Sequence, residues 1–572
     1  NFENSYPTLV EKISLGNTGE NDGKELLFVK ISDNVGTDEQ EPKLMLTSSM
    51  HGDEIAGYPM MLSLIDYILT VYADTGHPDH TRIKNLVENA EIWINPSANP
   101  DGTYYGSANN TIVTGARRAN NNVVDLNRNY PDNVAGPHDD GNAYQTETIA
   151  FMALADAQHF VISANFHGGI ELFNYPFDNA YVNQYTHPDG NWFEYIGVEY
   201  ATNAQNDSNT LGDNTYMTVD YDSNVYPSAG VTHGAEWYRV FGGRQDYMNY
   251  YQQCKEVTVE LSDVKVLPES QLENYWIYNK EALLDFLTQG TYGFRGVVKD
   301  ANTDAPINAT VKIVGHDNYG SHTITDISHG DYYRPIKAGT YDILFESDCY
   351  QSFTLTSQTI SDYETKVLTD VLLTPIAGSA PSNLGASNIA ATTATISWDA
   401  LTGANYDYQY RQVGSLTWTT VNTSSNSINL TSLTHSTEYE VQVRSTCGGN
   451  TSSYSSSVLF TTTTPPPCSG NLITSFPYAE SFESGTGDWY QDTTDDFQWD
   501  RNSGGTSTNN TGPSTASNGT WYMYSDAKLR ASQTAIFNSP CFNLNNKSSA
   551  TFTYDYSMYG SQMGSLTLQI ST

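Results

Sequence analysis

The residues best suited to chemistry lie at 50–54, where a histidine and a carboxylate stand three positions apart. His51 and Glu54 follow the apolar residues 44–46, which predict a buried strand, and a helix is predicted from Ile55 onward. An imidazole and a carboxylate at such a turn can bind one metal ion. Nitrogen and oxygen ligands suit zinc, and a catalytic zinc usually has three protein ligands and one open position. Because this spacing often occurs by chance, the prediction depends on ligands elsewhere in the chain.

Length and charge limit the classes of protein that this chain can represent. At 572 residues the chain is too long for a single core, so several domains are expected. Lys and Arg total 26 against 65 for Asp and Glu, a formal charge of -39. This excess of acid argues against nucleic acids and anionic membranes as partners, since both require basic patches. No apolar run is long enough for a transmembrane segment and no signal peptide opens the chain, so we expect residue 1 to be a processed start.

Strand and helix patterns alternate from residue 1 to about 290, which predicts a sheet with helices on both faces. Strands are predicted at 27–31, 43–46, 91–94, 160–164 and 257–261, and helices at about 58–72, 148–158 and 269–287. Most of the polar candidates follow the ends of these strands. Ligand sites of open α/β sheets lie in the same place, beyond the carboxyl ends of the strands.

Three further groups of polar residues extend the candidate site. His167 follows a predicted strand and is the best third zinc ligand, although a hydrogen-bonded loop histidine is the alternative. Glu260 interrupts an apolar strand, where an ionisable residue has either a functional role or a buried salt bridge. Arg117, Arg118 and residues 125–131 bring cations and an amide into one loop. A solvated loop is the alternative, but basic residues are scarce in the rest of the chain.

Several motifs resemble the zinc metallocarboxypeptidases, specifically the regulatory branch that includes carboxypeptidases D, E, M and N. They are, in chain order, His51-Gly52-Asp53-Glu54, Asn99-Pro100-Asp101-Gly102, Asp125-Leu126-Asn127-Arg128-Asn129-Tyr130-Pro131-Asp132, Ser163-Ala164-Asn165-Phe166-His167-Gly168-Gly169, Trp237-Tyr238, Gly242-Gly243-Arg244-Gln245-Asp246-Tyr247 and Glu260-Leu261-Ser262. The resemblance covers about half of the chain. It departs from the family at Arg244, where Met is usual, and no catalytic position is replaced.

The resemblance implies a single zinc ion as the cofactor. Its ligands would be His51, Glu54 and His167, with water in the open position. Asp125 would orient one of the zinc-bound histidines.

The resemblance also implies the catalytic and substrate-binding residues. Glu260 would be the general base, and Arg118 would stabilise the tetrahedral oxyanion. Asn127, Arg128 and Tyr238 would bind the free C-terminal carboxylate of the substrate, because a guanidinium fork matches a carboxylate.

Two residues carry a prediction of substrate specificity. In the regulatory branch, a carboxylate eleven residues after the third zinc ligand faces the terminal side chain of the substrate, and here that position is Asp178. Gln245 matches the amide that lines the same pocket. We therefore expect a preference for C-terminal Lys or Arg.

Short strand patterns replace the alternating pattern after residue 290. The predicted fold class is multidomain: an α/β catalytic domain, with a mixed sheet and helices on both faces, followed by three all-β sandwich domains. The predicted ranges are 1–290 for the catalytic domain, 291–376 for a transthyretin-like domain, 380–464 for a fibronectin type III-like domain and 468–572 for a MAM-like domain that is incomplete at its C-terminus. Residues 461–467 read as an extended Thr/Pro linker, and Trp398 and Trp499 are expected in cores.

The leading hypothesis is a zinc-dependent exopeptidase that acts on the C-termini of peptides and proteins. One alternative applies the same chemistry to cell-wall stem peptides, and another is a surface adhesion or binding protein with a vestigial peptidase site. The module content predicts a secreted or cell-surface protein, with an extracellular partner for the fibronectin-like and MAM-like modules. Cys468 and Cys541 are expected to be oxidised, with pairing to each other as one option.

Overall fold

The computed structural model describes residues 2–19, 24–221, 228–376, 380–401, 403–447, 450–464, 470–506, 508, 511–526, 528, 530, 532–545, 547–559 and 564–570. The chain forms two compact units. One consists of Asn1–Ser379, Leu401–Ala404 and Thr446–Thr451, and the other of Ala380–Ala400, Asn405–Ser445 and Ser452–Thr572.

A mixed sheet forms the centre of the first 290 residues. Its strands in the described part of the chain are β1 (Val10–Asn17), β2 (Glu25–Ile31), β3 (Lys43–Ser48), β4 (Glu91–Asn95), β5 (Ile162–His167), β6 (Glu171–Tyr175), β7 (Val231–His233) and β8 (Lys255–Leu261). They lie in the order β1-β2-β4-β3-β5-β8-β6-β7. Strands β4, β3, β5 and β8 run parallel to one another, whereas β2 and β6 pair antiparallel to β4 and β8. The carboxyl ends of β3, β5 and β8 therefore meet at one edge of the sheet.

Helices cover both faces of this sheet, as predicted. They are α1 (Phe2–Ser5), α2 (Gly57–Ala73), α3 (His80–Val87), α4 (Pro100–Thr103), α5 (Thr146–Gln158), α6 (Gly190–Thr210), α7 (Gly234–Trp237), α8 (Arg244–Tyr251) and α9 (Glu269–Gln289), with a 3-10 turn at Leu126–Arg128. Apolar residues of α2, α3, α6 and α9 share one core cluster with the sheet. Residues of α5 and α8 form a second cluster with residues of the sheet. The predicted α/β fold is confirmed.

Two elements near the site differ from the sequence prediction. The strand predicted at 160–164 is β5, which runs two to three residues later and ends on His167 itself. Pairing with β3 and β8 extends the strand through polar residues that local pattern does not favour. The motif Asn99-Pro100-Asp101-Gly102, which from the sequence alone reads as a turn, forms the short helix α4, whose first turn is capped by the Asn99 side chain.

A β-domain with its own apolar core follows α9. Its strands are β9 (Gly293–Asp300), β10 (Thr310–Ile313), β11 (Thr323–Ile324), β12 (Asp331–Arg334), β13 (Gly339–Glu346), β14 (Phe353–Ile360), β15 (Thr365–Val367) and β16 (Val371–Leu373). Buried Asp189, from the catalytic domain, accepts hydrogen bonds from Lys255 and from His316 and Arg334 of this β-domain. Arg334 also bonds Asp317. A buried charge network therefore joins the two domains.

Residues 380–461 form two sheets, as a fibronectin type III-like domain requires. Their strands are β17 (Gly385–Ser387), β18 (Ala394–Ser397), β19 (Asn405–Gln412), β20 (Thr419–Thr423), β21 (Ser427–Leu430), β22 (Glu438–Cys447), β23 (Asn450–Thr451) and β24 (Val458–Thr461). Trp398 is 3% exposed and packs edge-on against Tyr406, which confirms it as a core residue.

The last region contains short paired strands among its described residues. They are β25 (Leu472–Ile473), β26 (Tyr490–Gln491), β27 (Asp500–Ser503), β28 (Trp521–Tyr524), β29 (Phe537–Asn538) and β30 (Cys541–Phe542). Trp499 is only partly buried here, so its expected core position is wrong. Its indole N–H donates to the backbone carbonyl of Ala535 at 3.1 Å and its ring stacks on Phe537, so both contacts hold it without full burial.

Cys541 is disulfide-bonded, as expected. Cys468 and residues 465–467 of the predicted linker lie outside the described residues, so the Cys468–Cys541 pairing stays a prediction. Among the described helices, none combines the length and the apolar composition that a membrane span requires.

Candidate metal centre and active site

Three buried side chains converge at the sheet edge where β3, β5 and β8 end. His51 Nδ1 and Glu54 Oε2 are 2.9 Å apart, and His167 Nδ1 is 2.8 Å from that oxygen and 3.0 Å from His51 Nδ1. Each of these residues is at most 3% exposed. The distances allow all three atoms to bind one ion. Two imidazoles and a carboxylate fit zinc, so the predicted ligands are brought together.

The carboxylate of Asp125 fixes the orientation of His51. Asp125 Oδ1 lies 3.1 Å from His51 Nε2, and Arg118 Nε donates to its other oxygen at 2.9 Å. Since a carboxylate accepts hydrogen bonds, Nε2 holds the proton of the neutral ring and Nδ1 presents its lone pair to Glu54 and His167. This arrangement is typical of the outer shell of a metal-bound histidine.

Close backbone approaches hold the loop that carries His51 and Glu54. A Cβ at Gly52 would lie 2.2 Å from the backbone of Gly102, so only glycine fits there. Asn99 donates to the carbonyl oxygens of Met50 at 3.1 Å and Arg118 at 3.2 Å. One asparagine thereby connects the metal-binding loop to the loop of Arg118.

The electrostatics of the three ligands favour a cation between them. Burial would raise the pKa of Glu54, but His51 and the hydrogen bond from His167 hold it well below its ordinary value. Burial lowers the pKa of His167 to about 4. At His51 burial also lowers the pKa, yet the charge of Glu54 and the hydrogen bonds with Asp125 and Glu54 together outweigh burial and raise that pKa. The ionised carboxylate of Glu54 and the neutral imidazole of His167 are the protonation states that metal binding requires.

Glu260 and Arg118 adjoin the three ligands. Glu260 is 7% exposed and pairs in register with His167 across β8 and β5. Burial, followed by the negative charge of Glu54, raises the pKa of Glu260 well above its ordinary value. Arg118 Nη1 lies 3.0 Å from His51 Nδ1 and 3.4 Å from Glu54 Oε1. A carboxylate and a guanidinium thus lie beside the candidate metal position.

The residues predicted to bind a substrate carboxylate are also near one another. Asn127 and Arg128 lie in the 3-10 turn that Asp125 caps, and Asn127 Oδ1 accepts from the backbone of Arg244 at 2.9 Å. Tyr238 is 42% exposed and lies within electrostatic range of Arg128 and Glu260. The structure therefore places the phenol of Tyr238 beside the guanidinium of Arg128, with the amide of Asn127 in the same turn as Arg128.

Asp178 and Gln245 are in direct contact. Gln245 Nε2 donates to Asp178 Oδ1 at 3.0 Å, and Asn174 Nδ2 donates to the same oxygen at 3.2 Å. Asp178 is 4% exposed, and burial raises its pKa to about 7. The buried Gln245 Oε1 has no partner among the described residues. A carboxylate beside an unused acceptor suits a cationic group.

Sequence reasoning missed the residues that support this pocket. A Cβ at Gly234 would lie 1.8 Å from Asp178 Oδ1, so any other side chain would displace the carboxylate. Asp246 accepts from the backbone N–H groups of Asp178 at 2.9 Å and Asn179 at 2.9 Å. Asp246 belongs to a motif quoted above, but nothing in its spacing indicated a partner 68 residues away in the chain.

A buried histidine–glutamate–histidine site at a sheet edge, beside a carboxylate and a guanidinium, defines a class of metal-dependent hydrolases. The chain belongs to the zinc carboxypeptidase family, whose pattern it matches over residues 1–282. A fibronectin type III domain matches residues 379–461 and a MAM domain, meprin/A5/mu, matches residues 481–572. The donor set therefore fits the zinc of that family.

Two human relatives show how much of the chain is shared. Carboxypeptidase D is 37% identical over 360 residues, which is 62% of this chain and 24% of that protein. The carboxypeptidase N catalytic chain is 30% identical over 382 residues, covering 62% of this chain and 79% of the relative. The chain spans about a quarter of the length of carboxypeptidase D.

Metal analysis provides the first test of the site. We expect the purified protein to bind one equivalent of zinc and His167→Ala to lose it, because two remaining ligands cannot complete a catalytic zinc site. His138→Ala, at an exposed loop position, is the matched control and should keep the metal. Equal zinc content in His167→Ala and the control would contradict the assignment of His167 as a ligand.

Proposed function

We propose that the protein is a zinc-dependent exopeptidase that removes the C-terminal residue of peptides and proteins. The observation that carries the proposal is the convergence of His51, Glu54 and His167 with Glu260 in register beside them. Carboxypeptidase D and the carboxypeptidase N catalytic chain, the relatives described above, carry this activity in their names.

The chemistry at the scissile bond divides between the metal and two side chains. When bound, zinc lowers the pKa of a coordinated water to about 7 and polarises a carbonyl oxygen. Glu260 takes a proton from the attacking water and passes it to the leaving amine. The Arg118 guanidinium stabilises negative charge on the carbonyl oxygen as the tetrahedral intermediate forms. Burial of Glu260 supports this role, because it raises the affinity of the carboxylate for the proton.

The enzyme selects the C-termini of peptides because it binds the free terminal carboxylate of the substrate. Arg128 forms the charged anchor, and Asn127 and Tyr238 donate to the same group. The fixed 3-10 turn supports this role, since it holds Asn127 and Arg128 side by side beside the Asp125 cap. An internal peptide bond carries no carboxylate at this position and is not bound.

The terminal side chain of the substrate is a lysine or an arginine. Asp178 forms the ion pair and Gln245 Oε1 accepts a further hydrogen bond, which uses the acceptor that is otherwise unpaired. An apolar side chain leaves the Asp178 charge without a counter-ion and Gln245 Oε1 without a hydrogen bond, and each unsatisfied polar group costs about 1–3 kcal/mol.

The module content supports a place outside the cell, secreted or at a surface. The disulfide at Cys541 fits an oxidising compartment, and the fibronectin type III and MAM modules act as binding domains for an extracellular partner. An adhesion protein with a vestigial site is less well supported, because Glu260 and Arg118 are both present beside the ligands. The same chemistry on cell-wall stem peptides stays an alternative.

Replacement of the proposed base separates metal binding from turnover. Glu260→Gln should retain zinc and lose about 10²–10⁴-fold in kcat, because the geometry survives while the proton acceptor is gone. Glu273→Gln, at an exposed position on α9, is the control. Steady-state kinetics with metal analysis of both variants decide the role, and a Glu260→Gln variant as active as the control would exclude Glu260 as the base.

Matched peptides that end in Arg, Lys, Leu or Phe test the pocket. We expect kcat/KM for the basic ends to exceed that for the apolar ends by tenfold to over a hundredfold. Asp178→Asn, which keeps the shape and removes the charge, should abolish most of that ratio. An unchanged ratio in Asp178→Asn, or an equal rate on Leu in the parent protein, would contradict the specificity.

A further inference from the structure

We infer that Lys265 is a positioning residue for the metal site, holding the Glu54 carboxylate in the orientation that presents one oxygen to the two histidines. Lys265 Nζ donates to Glu54 Oε1 at 2.7 Å. The inference rests on the proposed zinc site and extends it to a residue that is neither a ligand nor a group in contact with substrate.

The loop that carries Lys265 is bonded to both metal-binding segments. It follows β8, the strand of Glu260. The N–H of Gly169, two residues after His167, donates to the carbonyl of Ser262 at 2.7 Å. The N–H of Ile55, directly after Glu54, donates to the carbonyl of Lys265 at 3.0 Å. These two bonds fix the backbone of Lys265 next to Glu54, so the side chain reaches the carboxylate from an anchored position.

The two oxygens of Glu54 have different partners. Oε2 faces the histidine nitrogens and also accepts from the N–H of Gly168 at 3.2 Å. Oε1 accepts a hydrogen bond from Lys265 Nζ at 2.7 Å and lies 3.4 Å from Arg118 Nη1. Without the bond to Lys265 the carboxylate could rotate about its last torsion, which is a broad and weakly restricted one. Together with the N–H of Gly168, the lysine therefore holds the plane of the carboxylate so that one oxygen faces the metal position.

Arg118 does not duplicate this contact. Its Nε donates a hydrogen bond to Asp125 at 2.9 Å, and its Nη1 lies closer to His51 than to Glu54. The bond from Lys265 is the shorter one to Oε1, and a bond between an ammonium and a carboxylate is charge-assisted. Lys265 is 38% exposed and its Nζ lies 3.8 Å from Asp53, so part of its charge is in water while its end is held at the site.

A competing explanation makes the opposite prediction. If Lys265 only supplies a positive charge that neutralises Glu54 in place of zinc, it would repel a bound metal ion. Removing it would then strengthen zinc binding. If it orients Glu54, removing it weakens zinc binding, as loss of an outer-shell partner commonly does by about 10–100-fold. The direction of the change separates the two explanations.

The experiment measures the zinc dissociation constant of the full chain by competition with a chelator of known affinity. Lys265→Met removes the donor and keeps the length of the side chain, Lys265→Arg restores a cationic donor, and Lys280→Met on α9 is the control. We expect Lys265→Met to bind zinc 10–100-fold more weakly, Lys265→Arg to recover most of the loss, and the control to match the parent. The thermal unfolding of the metal-free proteins should be the same for all four.

Zinc affinity in Lys265→Met that equals or exceeds that of the parent would overturn the inference. If Lys265→Met unfolds at a lower temperature without metal, Lys265→Ala provides a second variant without a donor, and parent-like zinc affinity in that variant would likewise overturn the inference. A parent protein that binds zinc but releases no C-terminal residue would contradict the proposed function and leave the role of Lys265 intact. A parent that binds no zinc would remove both.

Discussion

The close approach of three buried ligand atoms at one sheet edge is the constraint on which the rest of the structure depends. His51, Glu54 and His167 bring two nitrogen lone pairs and a carboxylate within 2.8–3.0 Å, an arrangement that is unfavourable in a buried place unless a cation or a proton lies between them. The surrounding bonds resist the tendency of these groups to separate. The parallel strands β3, β5 and β8 supply the rigid base, and Asp125 holds one histidine from outside.

Charge is distributed unevenly in this strongly acidic protein, because several of its few basic residues lie around the proposed reaction centre. With 26 basic residues against 65 acidic ones, a cation near any given carboxylate is uncommon. Arg118, Arg128 and Lys265 nevertheless lie around the proposed reaction centre. The region around Asp178 has the opposite character, because this carboxylate is buried against the amides of Asn174 and Gln245. A substrate with a terminal carboxylate and a basic side chain complements both regions, whereas a substrate with only one of these groups leaves the other region unpaired.

The sequence predicted the parts of this arrangement that depend on local pattern and on motif. Short apolar strands followed by His51, His167 and their neighbours located the sheet edge, and the mixed α/β fold is confirmed. Contacts that depend on the tertiary fold could not be predicted in this way. Lys265 reads as one more surface lysine until its backbone is seen bonded to Ile55, and the need for glycine at position 234 appears only when Asp178 lies against it. The core position expected for Trp499 is wrong because an aromatic residue in a strand-rich segment does not reveal which face of its domain it occupies.

The most direct test of the central claim compares a peptide that ends in a free carboxylate with the same peptide amidated at its C-terminus, using mass spectrometry of the products. Both peptides end in arginine, so the terminal side chain and every internal bond are identical. The account predicts loss of the single terminal residue from the free peptide, inhibition by a zinc chelator with recovery on addition of zinc, and no cleavage of the amidated peptide, because Arg128 and its neighbours would lack the carboxylate they bind. Equal cleavage of both peptides, or fragments from internal bonds, would contradict it.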